Sequence, residues 1–111
     1  MKIREIYRLV EGIAPIAYQE SYDNSGLIIG DPDSEIKSIL CTLDVTQEVL
    51  EEAVSLGVNL IISHHPIIFE PLRKLHANNP VEQIIIEAIK KDIAIYCAHT
   101  NLDNSTEGVN S

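Results

Sequence analysis

The sequence predicts an α/β protein, a parallel-rich sheet flanked by helices, and three observations carry that expectation. Apolar, β-branched runs at residues 27–29, 36–45, 58–63 and 93–98 alternate with segments of helical periodicity. One helix-length segment separates the second run from the third, the spacing of a β-α-β unit, which is parallel and right-handed. The last two runs empty into polar residues, Ser63-His64-His65 and His99-Thr100-Asn101. The C-terminal ends of strands are where open α/β sheets bind ligands.

The elements follow in order. Ile3, Ile6, Tyr7 and Val10 fall at the i, i+3, i+4, i+7 spacing of an amphipathic helix over residues 2–13. Pro15 restarts the chain as a second short helix, and Tyr22-Asp23-Asn24-Ser25-Gly26 is turn chemistry leading into a short strand at 27–29. The run 36–45 reads as a central strand ending near Asp44. Thr46 is placed to cap a helix reaching Leu56, with Glu48 in its first turn and Gly57 as its stop. Val49, Leu50, Ala53, Val54 and Leu56 form its expected inward face. The strand at 58–63 follows, then a looser stretch over 70–79. Asn79-Pro80-Val81-Glu82 is a helix start: a cap, a proline at the first position and an acid three residues on. That helix reaches about Lys91 on Val81, Ile84, Ile85, Ala88 and Ile89, and the strand at 93–98 closes the series.

With 111 residues, 45% hydrophobic and 23% charged, the chain is expected to form a single domain over 1–111. No apolar run approaches the roughly 18 residues that span a bilayer, and the first residues have no signal-peptide pattern, so a cytoplasmic protein without membrane attachment is expected. Cys41 and Cys97 lie far apart within apolar runs and read as reduced core thiols. A net charge of -9 argues against direct nucleic-acid binding, because phosphate backbones are held through Lys and Arg.

His64, His65, His99 and Asp103 are delivered to one edge of the expected sheet. Consecutive residues in an extended backbone point in opposite directions, and the position before Pro66 is biased to that conformation. His64 and His65 are therefore poorly arranged to chelate one ion together and better arranged to hold one each, or for one of them alone to be a ligand. Asp103 between two cations would offset their repulsion, and imidazole with carboxylate suits zinc, iron, manganese or nickel. Against this stands the structural alternative: histidines that fill a strand end and bond to backbone, and an Asp103 that is a turn residue. Asp44 reads as a helix-entry residue, His76 as a solvated one, and Ser25 has no evident base to make it a nucleophile.

Asp23-Asn24-Ser25-Gly26-Leu27, Ser63-His64-His65-Pro66 with Phe69, Ala98-His99-Thr100-Asn101-Leu102-Asp103 and Gly108-Val109-Asn110 occur in the order found in one family. Together they resemble the Nif-three-like dinuclear metal-centre proteins, also called GTP cyclohydrolase I type 2 homologues. The resemblance covers nearly the whole chain. It implies homo-oligomers, toroidal hexamers in the family, with two divalent metal ions per protomer. By position His64 and His65 would ligate the two ions, Asp103 would bridge them, and His99 would line the site as a catalytic residue. Family members complete the site with a histidine and a glutamate near the end of a considerably longer chain, and Ser111 stands where the family continues with an aspartate. The expectation is therefore an N-terminal portion of a longer architecture, with an uncovered apolar face that favours self-association.

The function expected from the resemblance is a divalent-metal-binding, hydrolase-like protein that activates water at a two-metal centre in its full-length form, with a purine nucleotide as substrate. The alternatives are a non-enzymatic metal-binding regulatory or interaction protein, consistent with the lack of a glycine-rich phosphate loop, and an inactive fragment.

Overall fold

Helix boundaries fall where cap chemistry places them. The computed structural model describes residues 1–13, 26–68 and 72–98, and the helix α1 occupies Ile3–Ile13. Helix α2, Gln47–Leu56, begins at Thr46, whose extended backbone lets its side chain accept from the Val49 N–H at 3.1 Å. It ends at Gly57, φ 71°, where the Gly57 N–H donates to Val54 O and the Val58 N–H to Ala53 O, the pair of bonds that satisfies the last carbonyls of a helix closed by a left-handed residue. Helix α3, Pro80–Lys90, begins at Asn79, whose side-chain oxygen accepts from the Glu82 N–H at 2.9 Å. The Glu82 carboxylate takes the Asn79 side-chain amide and the His76 N–H, tying the preceding loop to the helix start.

Four strands, β1 (Gly26–Ile29), β2 (Ile39–Thr42), β3 (Leu60–Ser63) and β4 (Ala94–Cys97), form one sheet in the order β1-β4-β3-β2. The pairs β2·β3 and β3·β4 are parallel, and β1 runs antiparallel to β4. The expected central position of the 36–45 run is corrected: among the described residues β2 is an edge strand. Its burial is correspondingly low, with Ile39 39% exposed and Cys41 exposed, so Cys41 is not the core thiol expected, whereas Cys97 in the inner strand β4 is fully buried. A parallel β-α-β pair fixes which strands are neighbours and leaves open which of them is inside.

Alternation along the strands divides the core in two. Ile61 and Ile95 face α2 and α3, packing with Leu50, Ala53, Ile84, Ile85 and Ala88. Leu60, Ala94, Tyr96 and Ala98 face the other way, toward Ile3, Ile6, Tyr7 and Val10 of α1. Val54, Leu56, Val81 and Ile89 do not join the inward faces expected for them; they are 40%, 62%, 37% and 53% exposed, because only a narrow stripe of each helix meets the sheet. Beside the irregular register between Leu27 and Ile29, Gly30 at φ +123° lies so close to β4 that a Cβ there would be 2.5 Å from Ala94 Cβ. Among the described residues no helix is long and apolar enough to cross a membrane. The expected short helix after Pro15 and the turn at 22–25 lie outside the described residues.

Candidate functional site

The parallel ladder continues past the formal ends of the strands and delivers His64 and His65 to the sheet's C-terminal edge. The His64 N–H donates to Thr42 O at 3.1 Å, the His65 N–H to Leu43 O at 2.9 Å, and the Ala98 N–H to Ser63 O at 3.0 Å. Ser63, 1% exposed, donates its hydroxyl to His65 O at 2.9 Å, and the Cys97 thiol donates to His64 O at 3.4 Å. Two side chains from the strand ends thus hold both histidine carbonyls and fix the turn into Pro66.

The register also chooses the ring partners. Thr42 and Cys97 both stand level with Ser63, so continuing the ladders puts Ala98 level with His64 and Asp44 level with His65. His64 Nδ1 is 3.0 Å from Ala98 O, and His65 Nδ1 is 2.7 Å from Asp44 Oδ1. Each ring therefore turns toward a different neighbouring strand; the centroids are 5.2 Å apart with planes inclined at 53°. A carbonyl or carboxylate oxygen can only accept, so Nδ1 carries the proton in each neutral ring and the lone pair sits on Nε2. This is the arrangement found around metal-ligating histidines, in which a backbone carbonyl or carboxylate fixes tautomer and ring orientation.

His64 is half-buried; His65 and Asp44 are exposed, with side chains 48% and 62% accessible. Among the described residues no group of three or more His, Cys, Asp or Glu side chains closes on one point. With Nδ1 engaged, each imidazole could offer Nε2 as a single donor, and among the described residues these donors form no complete cage. His99 and Asp103, expected as catalytic and bridging residues, lie outside the described residues, as does Phe69. Asp44, expected as a helix-entry residue, is paired by the fold with His65. Its signal was its place at the end of a strand parallel to the His64-His65 strand, which becomes informative once the register is known.

Beside His64 lies an open cleft of about 370 Å³ lined by Cys41, Thr42, Leu43, Ile62, Ser63 and Ala98.

The sheet order and the helices on both faces define an α/β protein with a histidine pair at the carboxyl edge of a mostly parallel sheet. The Duf34/NIF3 (NGG1p interacting factor 3) family matches residues 1–111, and the chain belongs to that family. Curated relatives named GTP cyclohydrolase 1 type 2 homolog support this. The Clostridium acetobutylicum protein is 37% identical over 110 residues, 99% of this chain and 41% of its own length. The Bacillus subtilis protein is 43% identical over 107 residues, 96% of this chain and 29% of its own. Among solved structures, a Bacillus cereus protein related to NIF3 superposes with a TM-score of 0.92 at 44% identity, over 99% of this chain and 30% of that one. Reduced HcgD from Methanocaldococcus jannaschii gives 0.90 at 35% identity, over 99% and 44%. The chain thus spans well under half the length of these proteins.

Proposed function

We propose that this chain carries part of a divalent-metal site, with His64 and His65 each offering Nε2 to a different ion, and that the full-length form activates water there as a hydrolase-like protein. The observation that supports this reading most is the pair of Nδ1 contacts, His64 to Ala98 O and His65 to Asp44 Oδ1, which hold two adjacent imidazoles, centroids 5.2 Å apart, each through a different neighbouring strand and with Nε2 as the remaining donor atom. Two divalent ions held side by side, zinc, iron or manganese, would polarise a bound water for attack on an electrophilic centre. The protein's own part is positional: Asp44 and the Ala98 carbonyl hold the rings, while Ser63 and Cys97 hold the backbone beneath them. His99 lining the site and Asp103 bridging the ions belong to the same proposal, as do a homo-oligomeric assembly and a cytoplasmic location. GTP cyclohydrolase in the relatives' name suggests a purine nucleotide as substrate.

The family description also names an interacting factor, which favours a second reading as a metal-binding regulatory or interaction protein without turnover. Metal analysis of the purified chain, followed by GTP and phosphoester assays with added zinc, iron or manganese, separates the two. Occupancy with turnover supports the hydrolase, occupancy alone the second reading, and no binding of any of the three metals contradicts both.

A further inference from the structure

The two strands that lead into the His65–Asp44 contact end in the same local device. β2 ends at Thr42 and β3 at Ser63, residues level with each other in the parallel register. The Thr42 hydroxyl donates to Asp44 O and the Ser63 hydroxyl to His65 O, each at 2.9 Å and each to the carbonyl two residues on. Two residues of extended chain span roughly 6.5 Å, so a hydroxyl that reaches this carbonyl draws the backbone out of the extended form. The bends that result fall at residues 43–44 and 64–65, in step on the two strands. On β4 the residue level with Ser63 is Cys97, whose thiol donates across to His64 O. Ser63 is 1% exposed, and a hydroxyl buried that far costs stability unless it is bonded; its bond to His65 O meets that need.

Because Thr42 and Ser63 are level, Asp44 and His65 are level as well, and their side chains meet at 2.7 Å. A bend in one strand alone would carry its residue out of that alignment, whereas matched bends preserve it. We infer that Thr42 and Ser63 are a matched pair of positioning residues, whose hydroxyls bend β2 and β3 together so that the Asp44 carboxylate meets His65 Nδ1 and leaves Nε2 as the ligand atom. The inference rests on the proposed metal site for its purpose, while its effect on the ring is measurable without metal. Both hydroxyls act through the same side-chain contact, so their effects are coupled.

The experiment reads the ring tautomers of His64 and His65 by nitrogen-15 NMR of the metal-free chain in alkaline solution, and zinc binding separately by titration calorimetry in a His64→Ala background. Thr42→Val removes one hydroxyl and keeps the shape, Ser63→Ala removes the other, and Thr42→Ser keeps the hydroxyl as the rescue. Both hydroxyl-free variants are expected to lower the Nδ1–H population of His65 and to leave that of His64, held by Ala98 O, unchanged. They should weaken zinc binding about fivefold, the worth of one neutral hydrogen bond, while Thr42→Ser matches the parent chain. Added to Asp44→Ala, Thr42→Val should cause no further loss. If Ser63→Ala does not fold, Thr42→Val on the edge strand decides. An unchanged His65 tautomer in Thr42→Val with native circular dichroism, an equal shift in His64, or failure of Thr42→Ser to match the parent overturns the inference. Absent zinc binding with the expected tautomer changes overturns the metal reading and leaves the positioning pair standing.

Discussion

His65 Nδ1 lies 2.7 Å from Asp44 Oδ1, joining the end of β3 to the loop that enters α2 across 21 residues of sequence. A carboxylate in this position fixes the tautomer and orientation of the imidazole. Asp44→Ala is expected to weaken metal binding about 10–100-fold, the usual effect of losing such a partner, with stability changed by less than about 0.5 kcal/mol since both groups are exposed. Competition titration against a chromogenic zinc chelator and urea unfolding check the two halves. Unchanged affinity would mean that the contact is only a surface pair.

Gly30 is required by close approach as well as by its left-handed backbone. With φ +123° and the Cβ of Ala94 2.5 Å from where its own would be, Gly30→Ala is expected to destabilise the fold by about 2–4 kcal/mol through strain and overlap with an inner strand. Gly12, in α1 with nothing within 4 Å of an added Cβ, is the control: Gly12→Ala should stabilise by about 0.5–1 kcal/mol. Urea midpoints of the two variants should move in opposite directions.

The cap of α2 is a single hydroxyl contact, Thr46 to the Val49 N–H. Thr46→Ala should lower stability by about 1 kcal/mol, and Thr46→Asp, which keeps an acceptor and places a negative charge at the helix start, should recover most of it. Thermal unfolding followed by circular dichroism distinguishes these variants.

Tyr96 is 1% exposed, stacks on Tyr7 with ring centroids 6.2 Å apart, and donates its hydroxyl to Glu11 Oε2 at 3.3 Å. Burial first, and then the Glu11 carboxylate, push its pKa above its ordinary value of 10.0. A group that holds its proton more tightly when folded contributes stability that is fully present below the unfolded pKa and is lost as pH rises past it. Stability should therefore fall above about pH 10, and Tyr96→Phe should flatten that alkaline limb while costing some stability at neutral pH. Urea titrations between neutral and alkaline pH measure the slope.

The parts of the fold written in local chemistry were legible. Thr46 and Gly57 bracket α2, Asn79 and Pro80 start α3, and the apolar runs became the four strands, because caps and periodicity act over a few residues. The parts set by long-range pairing were not. The place of β2 at an edge, the exposure of Cys41 and the level alignment of Asp44 with His65 depend on strand order and register, which no segment carries by itself. His64 and His65 were expected to point in opposite directions on an extended backbone; instead their ring centroids lie 5.2 Å apart, where the chain bends after β3, and each ring is held by a different neighbour: a carbonyl from β4's continuation for one, a carboxylate from β2's continuation for the other.

The most direct measurement of the central claim is the zinc stoichiometry and affinity of the native chain beside His64→Ala and His65→Ala, read by calorimetry with metal content verified by elemental analysis. Two separate contacts predict that each single variant loses one class of binding and keeps the other, and that the double variant loses both. Unaltered zinc binding in the double variant, or complete loss from either single change with the fold intact by circular dichroism, would contradict a pair of imidazoles serving different ions.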